Sequence, residues 1–250
     1  MNDPAPRTVL VTRPGPGGDA LTQALAAAGH DALWWPAFEL AAVAVDAGEI
    51  ARYDVAIFVS PAAARFAAAA LPGLRAIPAF AAVGPGTRAA LADAFERPLA
   101  RIIAPPDESG GGSDELYPLL APQLRNWRRA LILRAQEGRE ELARNLGAAG
   151  VEVTQLAVYR REPHRPGPAA ERALAERAAR GSNAALVVTS SAAVGVLEAQ
   201  FGAVAGVAAW LHRGIAIASH ERIAARLRAA GYREVLCGSA DAGSIVALLR

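Results

Sequence analysis

The chain of 250 residues contains no lysine: all 26 of its Lys+Arg side chains are arginine. That absence removes Schiff-base catalysis, pyridoxal-phosphate chemistry and a P-loop with its phosphate-binding lysine, each of which needs an amine. Cysteine is nearly missing as well. Cys237 stands alone, which forbids an intrachain disulfide and a thiolate metal cage. Histidine is scarce, and His30, His164, His212 and His220 show no metal-ligand spacing, so surface and cap positions are expected for them and a metal site is not. The formal net charge is only +2, too little for a broad basic face toward nucleic acid. The longest apolar run, Ala203 to Leu211, is far short of the roughly 20 residues of a membrane span, and Met1-Asn2-Asp3-Pro4 opens without the basic-then-apolar pattern of a leader. The expectation is a soluble, cytoplasmic chain with no membrane and no nucleic-acid partner.

What is present is 53% hydrophobic residues, about a quarter of the chain being alanine, enough to build real cores. An all-arginine basic set suits anion recognition, because the guanidinium stays charged and offers a planar fork of donors. A GC-rich genome writes the same composition, so each arginine has to be argued by position. Short Val/Ile/Leu runs alternate with Ala/Leu-rich helical stretches, the pattern of parallel strands covered on both faces by helices. Ten strands are predicted: Thr8 to Thr12, Ala32 to Trp35, Val55 to Val59, Phe80 to Val83, Arg101 to Ala104, Ala130 to Arg134, Val151 to Val158, Ala185 to Thr189, Gly214 to Ala218 and Glu234 to Leu236. Two sheets of about five fit this length better than one of ten.

An internal comparison supports two related halves. Val11-Thr12-Arg13 with Leu21, Leu25 and Gly29 matches Ile132-Leu133-Arg134 with Leu142, Leu146 and Gly150 at one offset, and Tyr53 to Ser60 matches Asn183 to Ser190 at another. Each copy of the first match reads as strand, arginine loop, helix with leucines four apart, and terminating glycine. Pro36 to Ala44 and the proline- and arginine-rich Tyr159 to Pro168 read as linkers, and glycines 110 to 112 as a flexible loop before a helix.

The turn Thr12-Arg13-Pro14-Gly15-Pro16-Gly17-Gly18 is not a dinucleotide fingerprint, since the third glycine would fall at Ala20. It suits an anion as well as it suits a bare tight turn. Small or hydroxyl residues recur at four strand ends: Ser60-Pro61, Gly84-Pro85, Ser190-Ser191 and Ala218-Ser219. Such ends receive ligands in parallel sheets, although a hydroxyl there also caps the next helix. Their repetition in both halves points to a cleft between two domains. No G-x-S-x-G, H-E-x-x-H or paired-carboxylate pattern occurs, so an enzyme built this way works by holding an anionic substrate in a productive shape.

The motifs VLVTRP (Val9 to Pro14), FVSP (Phe58 to Pro61), AVGPGT (Ala82 to Thr87), ILRAQEGRE (Ile132 to Glu140), VYRR (Val158 to Arg161) and VTSS (Val188 to Ser191), in this order, resemble those of the uroporphyrinogen-III synthase family. The resemblance covers nearly the whole chain. It implies an α/β fold of two flavodoxin-like parallel-sheet domains joined by two extended linkers. The first domain would be discontinuous, 1–36 with 167–250; the second would be 44–158, with linkers 37–43 and 159–166. The implied reaction closes hydroxymethylbilane, a linear tetrapyrrole with eight carboxylates, to uroporphyrinogen III, with loss of water and inversion of the last ring through a spiro intermediate, and without cofactor or metal.

By the same resemblance Tyr159 assists departure of the substrate hydroxyl. Thr12, Arg13, Ser60, Gly84 and Ser190 match positions that meet substrate carboxylates, and Arg134 and Arg139 are further cationic candidates, Arg134 being equally suited to a structural ion pair. Where the family carries a Gly-Pro-x-Thr-Ala turn, this chain reads Ala218-Ser219-His220-Glu221-Arg222-Ile223-Ala224. Ser219 would replace the hydroxyl or cap the helix, and His220 or Arg222 would bind a carboxylate. A monomer is expected, and a transient contact with hydroxymethylbilane synthase is left open. The rival reading is a non-catalytic two-domain binding protein for a polyanionic small molecule; a nucleotide-sugar transferase is disfavoured by the short length.

Overall fold

The computed structural model describes residues 7–46, 48–107, 111–239 and 241–249. Gly110 of the predicted flexible loop and the opening Met1-Asn2-Asp3-Pro4 lie outside the described residues. In chain order the elements are β1 (Thr8–Val11), α1 (Pro16–Ala27), β2 (Asp31–Trp34), β3 (Phe38–Ala42), β4 (Val55–Phe58), α2 (Pro61–Ala70), β5 (Ala79–Ala82), α3 (Pro85–Phe95), β6 (Ile102–Ile103), α4 (Ser113–Leu120), β7 (Arg129–Ala135) and α5 (Glu141–Ala148). There follow β8 (Glu152–Pro163), α6 (Pro168–Arg180), β9 (Ala184–Val188), α7 (Ser191–Gly202), α8 (Val207–Arg213), β10 (Ile215–Ala218), α9 (Glu221–Ala229), β11 (Glu234–Cys237) and α10 (Ala242–Leu248). Contacts divide the chain into two compact units, Met1–Glu39 with Glu162–Arg250, and Leu40–Arg161.

The first unit holds a five-stranded sheet in the order β11-β10-β9-β1-β2, with parallel pairing throughout. Numbered along the chain this is the flavodoxin-like order 2-1-3-4-5. Period-two alternation sends Leu10, Leu186 and Ala216 to one face, against Leu197, Phe201 and Trp210, and Val9, Val187 and Ile217 to the other, against Leu21, Leu25 and Ile245. Both faces are therefore core, which is why these strands read as continuous apolar runs.

The second unit holds a six-stranded sheet, β3-β8-β7-β4-β5-β6. Phe58, Phe80 and Leu133 pack on one face with Ala63, Ala67, Leu91 and Phe95, and Ile57, Ala81 and Ile132 on the other with Leu116, Leu120, Leu142 and Leu146. The predicted strand at Arg101 to Ala104 contracts to β6, between a short 3₁₀ turn over Leu99–Arg101 and Pro105-Pro106. Strand β3 is an eleventh strand, where the sequence led us to expect only a linker. Backbone groups of two extended stretches satisfy one another when they run side by side. Accordingly Val43 N–H donates to Val158 O at 3.3 Å and His164 N–H to Ala37 O at 3.0 Å, and β8 continues past Val158 to Pro163.

The two sequence offsets translate into topology. They equate β1 and α1 with β7 and α5, and β9 with β4. Carried across the sheets, that equation turns β11-β10-β9-β1-β2 into β6-β5-β4-β7-β8, the observed order of the second unit apart from its added edge strand β3. The spatial arrangement is the same while the chain enters it at a different strand. The helix-ending glycines agree: Gly29 and Gly150 have φ of +91° and +87°, a region favourable only to glycine.

Candidate active site

In an open parallel sheet, ligands bind beyond the carboxyl ends of the strands, where the strand order reverses. In the second unit that point lies between β4 and β7. Ser60 follows β4 and caps α2: its Oγ accepts Ala63 N–H at 3.0 Å, and Pro61 supplies a first helical residue with no N–H to satisfy. The same Oγ lies 3.1 Å from the Tyr159 hydroxyl, 99 residues away in sequence. Tyr159 is 3% exposed, and its ring stacks on Phe66 of α2 at 5.4 Å and 12°. Capping and site geometry are thus one arrangement, because the helix that Ser60 starts also carries the ring that fixes Tyr159.

A serine hydroxyl accepts two hydrogen bonds and donates one. Ala63 N–H and the Tyr159 hydroxyl occupy two of these three places, either hydroxyl being able to donate to the other, so half-buried Ser60 keeps room for one further partner. Gly84 caps α3 in extended backbone, and a side chain on it would come within 3.4 Å of Gly111 Cα.

Arg134 has 8% exposure and lies inside β7. Its Nε donates to Ala135 O at 3.2 Å and its Nη1 donates to Gln155 Oε1. A β-carbon on Gly138 would sit 2.9 Å from its guanidinium, so the loop 136–140 lies across it. No ion pair to Arg134 occurs among the described residues; an amide fills the place expected for a carboxylate. Arg139 is exposed on that loop, and the structure does not bring it to Tyr159. A register shift between Arg134 and Ala135 sets Ala135 opposite Tyr159, and Gln136 N–H donates to Tyr159 O at 2.8 Å. Beside this bulge a groove of about 180 Å³ is lined by Ala135, Gln136, Glu137, Arg160 and Arg161.

In the first unit the reversal lies between β1 and β9. Thr12 is buried, and its Oγ1 donates to Val187 O at 2.8 Å. That hydroxyl therefore ties β1 to β9. Ser190 and Ser219 follow the neighbouring strands β9 and β10; both are half-buried, and Ser190 makes no side-chain cap. Ser219 does not cap α9 either. His220 takes that place, its Nδ1 accepting Arg222 N–H at 3.1 Å, because His220 rather than Ser219 precedes the first helical residue. The Arg13 guanidinium lies over Gly17.

Phe66, Gln155 and Gln136 were not singled out from sequence. The only signal for Phe66 is that it is the one aromatic in the alanine-rich α2. Among the described residues, no three His, Cys, Asp or Glu side chains gather where they would hold a metal, and no helix is long and apolar enough to cross a membrane.

Comparison with known proteins adds three findings. A family model described as uroporphyrinogen-III synthase HemD matches residues 19–247. The uroporphyrinogen-III synthase of Salmonella typhimurium is 34% identical over 170 residues, 62% of this chain and 65% of that protein, so just under two thirds of that relative is spanned. The Proteus mirabilis protein of the same name is 31% identical over 160 residues, 62% of this chain and 80% of its own length. Among solved structures, uroporphyrinogen-III synthetase from Helicobacter pylori matches with TM-score 0.64 and 16% identity over 97% of both chains. A mutant uroporphyrinogen III synthase from Thermus thermophilus matches with TM-score 0.54 and 21% identity over 96% of this chain and 95% of that one. At those identities the structural likeness establishes the two-domain α/β fold.

Proposed function

This chain belongs to the uroporphyrinogen-III synthase family, and we propose that it closes hydroxymethylbilane to uroporphyrinogen III, with loss of water and inversion of the last ring. The observation that carries the reading is the family match over 19–247, which spans the Ser60–Tyr159 hydroxyl pair at the strand ends of the second unit. The units Met1–Glu39 with Glu162–Arg250 and Leu40–Arg161 are taken as the two domains.

In the proposed reaction the hydroxyl of the substrate's hydroxymethyl group takes a proton and leaves as water, and the pyrrole nitrogen's electron pair stabilises the remaining methylene as an azafulvene cation. The far ring attacks through its substituted carbon to give a spiro-pyrrolenine; this breaks its bond to the neighbouring bridge, and the bridge carbon recombines at the other, unsubstituted carbon, which then loses its proton. Electron-rich pyrroles supply every bonding pair and nothing is oxidised, so the scheme calls for no cofactor. The Tyr159 hydroxyl donates to Ser60 Oγ, and Ser60 donates to the departing oxygen, easing its loss as water.

Selectivity arises by differential binding, since the uninverted ring closes without help. Arg13 and Arg139 are the proposed cationic contacts to carboxylates, with Gly84, Ser190, Ser219 and the Nε2 side of His220 as further contacts. Each charge-assisted bond contributes about 1.5–3 kcal/mol, so a few suffice to bias one closure over another. Arg134 holds the loop 136–140 from beneath, and Thr12 joins strands.

The test is to supply freshly generated hydroxymethylbilane, oxidise the products and separate uroporphyrin isomers I and III. Predominant isomer III supports the reading. Isomer I alone, at the rate of the blank, overturns it and favours the polyanion-binding alternative.

A further inference from the structure

Two tryptophans stand side by side at the end of β2 and meet opposite fates. Trp35 is 4% exposed, packs near Phe201 with centroids 6.3 Å apart, and its Nε1–H donates to Gln200 Oε1 at 3.1 Å. Trp34 is 45% exposed, the only exposed aromatic side chain among the large apolar ones described. It lies on the edge strand of its sheet, level with Val11 where β1 ends, so no further strand covers its outer side.

The exposed indole is nevertheless held. Its Nε1–H donates to Arg13 O at 2.9 Å, which turns the polar corner inward and leaves the apolar ring outward. The sequence keeps room for this contact: a β-carbon on Gly18 would stand 1.9 Å from Arg13 O and 2.6 Å from Trp34 Nε1. One residue earlier, a β-carbon on Gly17 would stand 3.1 Å from Arg13 Nε. Arg13 is the shared element: its carbonyl holds the indole beside Gly18, and its guanidinium lies over Gly17. An isolated surface tryptophan needs no such support.

We propose that Trp34 and Arg13 form a binding site for one carboxylate-bearing pyrrole ring, the indole stacking on the ring and the guanidinium taking a carboxylate. The proposal rests on the family reading for its choice of ligand, and it adds a residue, Trp34, that the family motifs did not point to. An electron-rich heteroaromatic with acidic arms matches the pair in both respects: aromatic stacking supplies area, and a planar fork of donors recognises the carboxylate.

The probe is uroporphyrin III, the stable oxidised form of the proposed product. Dissociation constants are measured by equilibrium dialysis for the unaltered chain, Trp34→Phe, Trp34→Leu and Arg13→Gln. Stacking of this kind predicts about tenfold weaker binding for Trp34→Leu and less than about threefold for Trp34→Phe, which keeps a ring. Arg13→Gln should also lose about tenfold and flatten the salt dependence. Binding by Trp34→Leu equal to the unaltered chain overturns the proposal. So does an equal loss in the Phe and Leu variants, which would mean that only the N–H bond to Arg13 matters.

A measurement independent of how the variants fold is the ¹⁵N indole spectrum of the unaltered chain. On titration the Trp34 cross-peak should shift under the porphyrin ring current while those of buried Trp35 and Trp210 stay in place, and a stationary Trp34 peak refutes the site. The isomer assay of the unaltered chain is scored separately. Isomer III with a silent Trp34 rejects the site and keeps the function, whereas isomer I with a responding Trp34 keeps the site and rejects the function.

Discussion

Replacing Tyr159 by phenylalanine removes one oxygen atom and keeps the ring stacked on Phe66, so its consequences are calculable from few contacts. The lost bond is the 3.1 Å contact to Ser60 Oγ. Ser60 keeps Ala63 N–H as a partner and is half-buried, so water can take the vacated side, and the stability loss stays near 1 kcal/mol. For a chain of this size that lowers Tm by about 2–4 °C, leaving the variant folded at assay temperature.

The effect on turnover should be far larger. Assisted departure of a hydroxyl by a positioned acid contributes about 10²–10⁴-fold, and kcat for formation of isomer III should fall by at least about 100-fold. Ser60→Ala should fall comparably and lose roughly a further 1 kcal/mol of stability with the cap. If the two hydroxyls act in series, the double variant is no slower than the worse single one, which is the non-additivity of groups acting as a unit. The assay is the initial rate of isomer III formation from fresh hydroxymethylbilane, corrected for the spontaneous isomer I. A Tyr159→Phe rate within about threefold of the unaltered chain would refute the role of the pair, and strictly additive losses would refute the series arrangement.

Other outcomes follow from the same geometry. Gly18→Ala should destabilise by about 1–3 kcal/mol, read as a lower Tm, because its β-carbon meets the Arg13 carbonyl at 1.9 Å; an unchanged melt would show that the turn gives way freely. Arg134→Gln should lower Tm and leave KM within about twofold, since this guanidinium meets Ala135 O and the Gln155 side chain; a large rise in KM alone would make it a substrate contact. The Arg177 hydrogen bond and charge, with a smaller contribution from Thr8, hold the Asp31 carboxyl below its ordinary value. The resulting stability is present above about pH 4 and is lost as pH falls through the depressed value. The side chain is 45% exposed, so the contribution is under about 1 kcal/mol, and Asp31→Asn should lower the neutral plateau of the Tm-against-pH curve slightly while leaving the acid end nearly unchanged, so that the acid limb becomes shallower. Activity should survive prolonged treatment with a strong chelator; a loss that added metal restores would overturn the cofactor-free scheme.

Much of this molecule is determined locally and so can be read from its sequence. Strands buried on both faces need apolar residues at every position, which is why Val9 to Val11 and Ala184 to Val188 announce themselves as runs. Leu21 and Leu25, like Leu142 and Leu146, bury one helix face, and Gly29 and Gly150 end their helices because the required φ is positive. The relation between the halves shows in the same residues, since equal local tasks select equal side chains.

Pairing between distant segments is decided only when the chain closes on itself. The strand at which the second unit enters its sheet, the recruitment of Phe38–Ala42 as a sixth strand beside β8, and the meeting of Ser60 with Tyr159 depend on partners that no local window contains. Ser219 and His220 show the limit at its smallest: the sequence offers Ser219 as the cap of α9 and His220 as a carboxylate contact, and one residue's shift in where the helix begins gives the cap to His220. Trp34 and Trp35 are the same amino acid in consecutive positions, and nothing in composition separates them. The pleat does, sending one ring into the core beside Phe201 and leaving the other at the sheet edge against the Arg13 carbonyl, because successive side chains of a strand must point to opposite faces.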